Sequence, residues 1–236
     1  MTTRTSPRPG ATIEAPATVA IPGGRFLMGS DEGRPDERPV HLVEVQGFRM
    51  AVTPVTVSQY AELVAAGGVE PPPWWADPDF ADPQQPVVGV TWCDASAYAA
   101  WLADVTGEAW RLPTEAEWER AARGGLEGAP TAWGASIPRN EIPEGPLRGP
   151  WRVRRGTPNG FGLFDMGTIV HEWCEDVYRP YGAPFTSGPA KGPERRASRG
   201  GSWRHLQRWS SPAARSSLPP GLRYADYGFR LAKSPG

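Results

Sequence analysis

Trp110-Arg111-Leu112-Pro113-Thr114-Glu115-Ala116-Glu117-Trp118-Glu119-Arg120-Ala121-Ala122-Arg123-Gly124 holds both the start and the stop of a helix. Thr114 followed three residues later by Glu117 is a capping box, in which each side chain satisfies the other's free backbone N–H. The spacing predicts a helix over 115–122, with Trp118, Ala121 and Ala122 on one side and Gly124-Gly125 ending it. Just upstream, Asp94 is expected to N-cap a helix over 95–105, where Tyr98, Trp101 and Leu102 share a face and Gly107 stops the run. Further back, Val57, Tyr60, Ala61 and Val64 predict a helix over 57–66 that ends at Gly67-Gly68. Two strands are expected on the N-terminal side, over 19–28 and from 40–45 towards Phe48 and Met50, with a charged loop at 31–38 between them. Downstream, 126–160 is Gly, Pro and Arg rich without a period. Short aromatic strands follow at 162–166, 170–173, 198–203 and 228–231. Helices early and short strands late make an α+β layout with long loops, and no internal repeat is evident.

Composition narrows the function classes. The chain has 236 residues, enough for one domain with a core, and 25 basic residues against 26 acidic ones leave no field to hold nucleic acid or an anionic membrane. No run approaches the roughly 18 apolar residues of a membrane helix, and the first twenty residues lack a secretion-signal pattern. The expectation is a soluble, cytoplasmic protein with a disordered leader over 1–18 and one domain over 19–233. Gly and Pro, 28 each, make up close to a quarter of the chain and suggest disorder, but 11 Trp argue for a loop-rich interior filled by aromatics. Cys93 and Cys174 exclude a Cys-rich zinc module and permit at most one disulfide, which the sequence leaves undecided.

The capping-box segment resembles the sulfatase-modifying-factor family, that of the formylglycine-generating enzyme, and the rest follows the family's order. The matching pieces are Ile21-Pro22-Gly23-Gly24-Arg25-Phe26-Leu27-Met28-Gly29, Pro54-Val55-Thr56, Pro86-Val87-Val88-Gly89-Val90-Thr91-Trp92, Pro158-Asn159-Gly160-Phe161-Gly162-Leu163-Phe164-Asp165-Met166, Arg199-Gly200-Gly201-Ser202-Trp203 and Gly228-Phe229-Arg230. The resemblance covers about residues 19–233 and implies a single α+β domain of C-type-lectin-like fold.

What it implies about metals is mixed. The founding enzyme holds copper(I) on two cysteine thiolates, the soft donors that ion prefers. Here His205 stands at the first of those positions and Ser210 near the second, so copper and formylglycine generation are not expected. The family also wraps a calcium ion at a segment matching 165–172. Asp165 and Glu172 supply side-chain oxygens there, and Thr168 and Val170 supply carbonyls, so calcium is a possible cofactor. The alternative for that carboxylate pair is simple hydrogen bonding in the core. His171 replaces a groove Trp of the family and His205 a copper cysteine, so the two are expected near one another; the favoured reading is a packed or hydrogen-bonded His171 with an exposed His205, and the alternative is a metal pair, the basis of an oxidoreductase-type reading. Glu172 is an unsuitable third donor, because strand neighbours point to opposite faces.

The preferred reading is a non-catalytic module whose loops over about 203–228 bind a protein or small-molecule ligand. In family relatives diversified by retroelements this segment is the ligand-facing surface. Trp203, Arg208, Arg215, Gly221, Arg223, Gly228, Phe229 and Arg230 read as scaffold. Arg204, His205, Leu206, Trp209, Ser216, Leu218, Leu222, Tyr224 and Asp226 read as ligand-binding residues, since Trp, Tyr and Arg supply most interface energy. The basic cluster Arg148, Arg152, Arg154 and Arg155 around Trp151 is expected to be solvated or paired with the acidic loop at 31–37, rather than a stacking platform for single-stranded nucleic acid.

Overall fold

A computed structural model describes residues 13–182, 194–205 and 209–235. Every α-helix in it begins at a threonine that closes a capping box: Thr56 with Gln59 for α1 (Val57–Ala65), Thr91 with Asp94 for α2 (Trp92–Thr106), and Thr114 with Glu117 for α3 (Glu115–Arg123). Asp94 is therefore not the N-cap of α2. It sits in the first turn, its carboxylate accepting the Thr91 N–H at 2.9 Å while the Thr91 hydroxyl accepts the Asp94 N–H at 3.0 Å. The pattern is the one read correctly at Thr114. Gly107 and Gly124 end α2 and α3 in the left-handed conformation at φ 72° and 58°, which glycine adopts without strain.

The strands are shorter and more numerous than expected. β1 (Thr18–Ile21) and β2 (Gly24–Met28) are broken apart at Pro22-Gly23, and β3 (His41–Val45) and β4 (Phe48–Ala51) at Gln46-Gly47. Both breaks send the chain from one sheet to another. β1 and β4 join β5 (Trp110–Arg111) and β10 (Ala232–Lys233) in the order β1-β4-β10-β5, all antiparallel, whereas β2 and β3 pair as a hairpin. The third sheet has the order β8-β7-β6-β9, built from β6 (His171–Val177), β7 (Arg196–Arg199), β8 (Arg215–Leu218) and β9 (Tyr227–Gly228). In it β6 and β9 run parallel with His171 opposite Tyr227, and the other pairs are antiparallel. The strand expected over 162–166 is a turn instead, because Gly162 and Asp165 take φ of 84° and 61°.

Aromatic-rich clusters hold these layers. Tyr60 of α1 stacks on Tyr98 of α2 at 5.6 Å between ring centres, and Phe229 meets Tyr98 edge-on at 5.5 Å. In a second cluster Trp118, Ala121 and Ala122 of α3 pack against Ile21, Phe48, Met50, Cys174 and Ala197. Residues 1–12 of the expected leader lie outside the described residues. Ile13 and Ala15 rest against the first core, and the Ala17 carbonyl accepts the Val52 N–H at 2.9 Å, so the folded part begins before residue 19. Cys93 is exposed and Cys174 buried, and both are free thiols. Among the described residues no helix is long and apolar enough to cross a membrane.

The arginine cluster at 148–155 has different partners from those expected. Arg148 pairs with Asp79 at 2.9 Å and Arg152 with Asp82 at 2.7 Å, not with the 31–37 loop, whose Glu37 is taken by Arg34 at 2.8 Å. Trp151 is buried beside Val88, Ile169 and Trp203. A buried indole cannot stack on a base, so the cluster fastens one loop to another.

Candidate functional site

The parallel strands β6 and β9, β8, and residues 200–205 and 209–214 between β7 and β8 line an open cavity of about 370 Å³. β6 alternates, so His171 faces the cavity and Glu172 the core. After β7 the chain turns at Gly200, with φ 77°, where a side chain would strike Gly167 and Trp118. A tight turn follows in which the His205 N–H donates to the Ser202 carbonyl at 2.9 Å, carrying His205 to the rim. Asp226 immediately precedes β9. Its carbonyl accepts the His171 N–H at 2.9 Å, and its carboxylate Oδ2 accepts the hydroxyl of the buried Ser202, also at 2.9 Å. Three remote pieces of chain are thus locked around one point.

At that point two imidazoles and a carboxylate converge. The Nε2 atoms of His171 and His205 stand 3.9 Å and 3.7 Å from Asp226 Oδ2, and the rings are 5.3 Å apart. The Nδ1 of His171 is 2.7 Å from the Gly200 carbonyl. A carbonyl only accepts, so the neutral ring carries its proton on Nδ1 and directs the Nε2 lone pair towards Asp226. Burial lowers the His171 pKa to about 4, against the pull of the Asp226 carboxylate, so the ring is neutral at pH 7.

Of the nine residues expected to bind ligand, Arg204, His205, Trp209, Ser216, Leu218, Tyr224 and Asp226 line this cavity. Leu222 does not: it is exposed and outside the lining. Leu206 lies outside the described residues, as does the expected scaffold residue Arg208. Asp226, expected on the surface, is buried on the cavity floor. Arg34 was missed. It comes from the charged loop, its guanidinium lies 4.3 Å from the centre of the Trp209 ring and its Nη2 donates to the Arg215 carbonyl. Nothing local marks Arg34, because the Arg215 it meets is 181 residues away.

The floor rests on charged groups withdrawn from water. Arg215 donates to both oxygens of Glu115, at 3.0 Å and 2.6 Å, and Arg199 pairs with Glu119 at 2.6 Å. Glu119 also holds Arg123 and the Gly29 N–H, tying α3 to both neighbouring sheets. Arg215 and Arg199 are therefore scaffold, not free anion-binding groups.

The residues expected to hold calcium divide into two kinds. Glu172 is closed: Arg230 donates to both its oxygens, at 2.6 Å and 2.8 Å, and the Trp118 indole N–H donates at 2.6 Å. Asp165 is half open, with Oδ2 accepting the Arg154 N–H at 2.8 Å and Oδ1 buried without a partner. Glu141, which the sequence did not single out, also keeps a buried unpartnered oxygen, Oε2. Burial, reinforced by Asp165, raises its pKa to about 7. At the copper positions His205 and Ser210 offer no thiolate, so the donor set does not fit copper(I).

The fold and the site define a domain of known type. A sulfatase-modifying factor enzyme 1-like domain model matches residues 3–235, and the chain belongs to that family. The "Formylglycine-generating enzyme" of Streptomyces coelicolor is 34% identical over 291 residues, covering 91% of this chain and 88% of that protein. The "Serine/threonine-protein kinase pkn1" of Chlamydia pneumoniae is 36% identical over 245 residues, covering 92% of this chain and 38% of the kinase; the chain thus spans about two fifths of that relative's length. Among solved structures, the Treponema denticola variable protein 1 superposes with a TM-score of 0.77 at 23% identity, covering 92% of this chain and 95% of that one. At that identity the likeness is one of fold, and it agrees with the C-type-lectin-like α+β architecture expected from the sequence.

Proposed function

We propose that this domain is a ligand-binding module on a formylglycine-generating-enzyme-like scaffold, its C-terminal loops holding a small molecule in the cavity. The observation that carries the reading is the lining. Seven residues picked out as contact residues converge on one cavity of about 370 Å³, within the range of small-molecule sites. The wall is aromatic and cationic: Trp209 stacks with Arg34, Tyr224 is 45% exposed, and Arg204 lies 5.1 Å over Trp203. A planar or anionic ligand suits such a wall. Formylglycine generation has no support here, because the copper-binding thiolates are replaced by His205 and Ser210.

The test is retention of ligands from a defined metabolite mixture, followed by mass spectrometry of the isolated complex. Wild type is expected to retain a compound that Trp209→Ala and Tyr224→Ala release, with melting temperatures within about 2 °C of wild type, as for substitutions outside the core. Retention unchanged by both variants overturns the reading. A reverse transcriptase and a near-copy of the segment encoding 203–230 beside the gene would add retroelement diversification to it.

We also propose that Asp165 and Glu141, rather than Glu172, hold calcium. Two buried carboxylate oxygens without partners are donors of the kind a hard cation takes. Calcium should raise the melting temperature of wild type and leave that of Asp165→Asn unchanged.

A further inference from the structure

We propose that His171, His205 and Asp226 form a mononuclear site for a borderline divalent transition-metal ion, of the zinc, cobalt or iron(II) kind, on the cavity floor. The inference deepens the picture of the cavity but holds whatever organic ligand the cavity takes. One donor atom from each residue lies within 4.8 Å of the other two. Two donors bound at about 2.1 Å to a shared ion stand roughly 3.0–3.4 Å apart at octahedral to tetrahedral angles. The 3.9 Å and 3.7 Å separations therefore close by movements of less than about 1 Å.

Three features separate this cluster from two histidines that merely sit near an acid. The first is the tautomer. With its proton held on Nδ1 by the Gly200 carbonyl, His171 points a lone pair at a carboxylate oxygen, and two acceptors facing each other are brought together by a cation. A backbone carbonyl on the far nitrogen is also the usual outer support of a metal-bound histidine. Second, the acid is oriented in the same way: Asp226 Oδ2 takes the buried Ser202 hydroxyl at 2.9 Å, with the Nε2 atoms of His171 and His205 at 3.9 Å and 3.7 Å from it. Third, the donors open on the cavity, so positions not filled by protein face its interior. Two imidazole nitrogens and one carboxylate, without thiolate, suit zinc, cobalt or iron(II) rather than copper(I), and imidazole nitrogen argues against calcium. Ser202 and Gly200 are positioning residues in this arrangement.

The whole chain, stripped with a chelator, is titrated with cobalt(II) at pH 7.5 and followed by calorimetry and visible absorption. One cobalt per chain is expected, with d–d bands that zinc abolishes by displacement. His205 is 42% exposed in its side chain, so His205→Ala should fold as wild type by circular dichroism and lose cobalt affinity at least 100-fold. Asp226→Asn, nearly isosteric, should do the same, and Ser202→Ala should weaken binding about tenfold. His41→Ala removes the histidine outside the cluster and should keep full uptake. Absence of stoichiometric uptake, or uptake unchanged in a folded His205→Ala protein, overturns the metal site. If Trp209-dependent ligand retention survives that outcome, the cavity reading stands and the metal inference alone falls.

Discussion

Glu172→Gln separates two roles for the carboxylate at the centre of this fold. Glu172 and Arg230 are both fully buried, and the guanidinium donates to both carboxylate oxygens, at 2.6 Å and 2.8 Å. Removing the negative charge leaves an arginine in the core with backbone carbonyls of Ala51, Val52 and Phe164 as its acceptors. Breaking one side of such a pair costs about 3–5 kcal/mol, because the surviving ion has no counter-charge. With an unfolding entropy near 2.1 cal/mol/K per residue, a chain of 236 residues has about 0.5 kcal/mol/K at its midpoint, so the melting temperature should drop by roughly 6–10 °C. The drop should be equal in chelator and in millimolar calcium. Replacing both partners, Glu172→Gln with Arg230→Met, should recover much of the loss. The assay is thermal unfolding followed by circular dichroism. A Glu172→Gln protein that matches wild type in chelator but loses a calcium-dependent increment would refute the ion-pair argument and restore Glu172 as a cation ligand.

Other consequences can be checked on the same material. In chelator, the thermal stability of wild type relative to Glu141→Gln should fall as pH rises from 5 to 8. The folded pKa of Glu141, about 7, lies above its ordinary 4.5, so its contribution is complete below about 4.5 and lost on passing 7. Gly200→Ala should unfold the site or the whole domain, since φ is 77° and a Cβ would stand 2.8 Å from the Gly167 Cα and 3.1 Å from Trp118; a soluble variant melting within 2 °C of wild type contradicts the geometry. Thiol titration of the native protein should count one reactive cysteine, the exposed Cys93. Burial raises the pKa of Cys174 well above the usual thiol range, and a second thiol should appear only in denaturant.

What the sequence alone determined is local chemistry. Thr114 with Glu117, the stop signals Gly107 and Gly124, and the helical spacing around Tyr60 and Trp118 act within one or two turns, so three helices and the family resemblance were legible before any coordinates. The strands were harder, since two-residue pairings such as β9 and β10 are set by a distant partner and leave almost no period of their own. The same limit ran through the site. Trp209, Tyr224, His205 and their neighbours could be named as contact residues, and His171 could be placed near His205, because these positions followed from a stretch whose order is intact. Only the tertiary structure showed that Asp226 turns inward to join them, that Arg34 arrives from the other end of the chain, and that Glu172 belongs to Arg230. Those outcomes depend on which charged groups find one another once water is excluded, and a buried charge is decided by its three-dimensional neighbours, not by its neighbours in sequence.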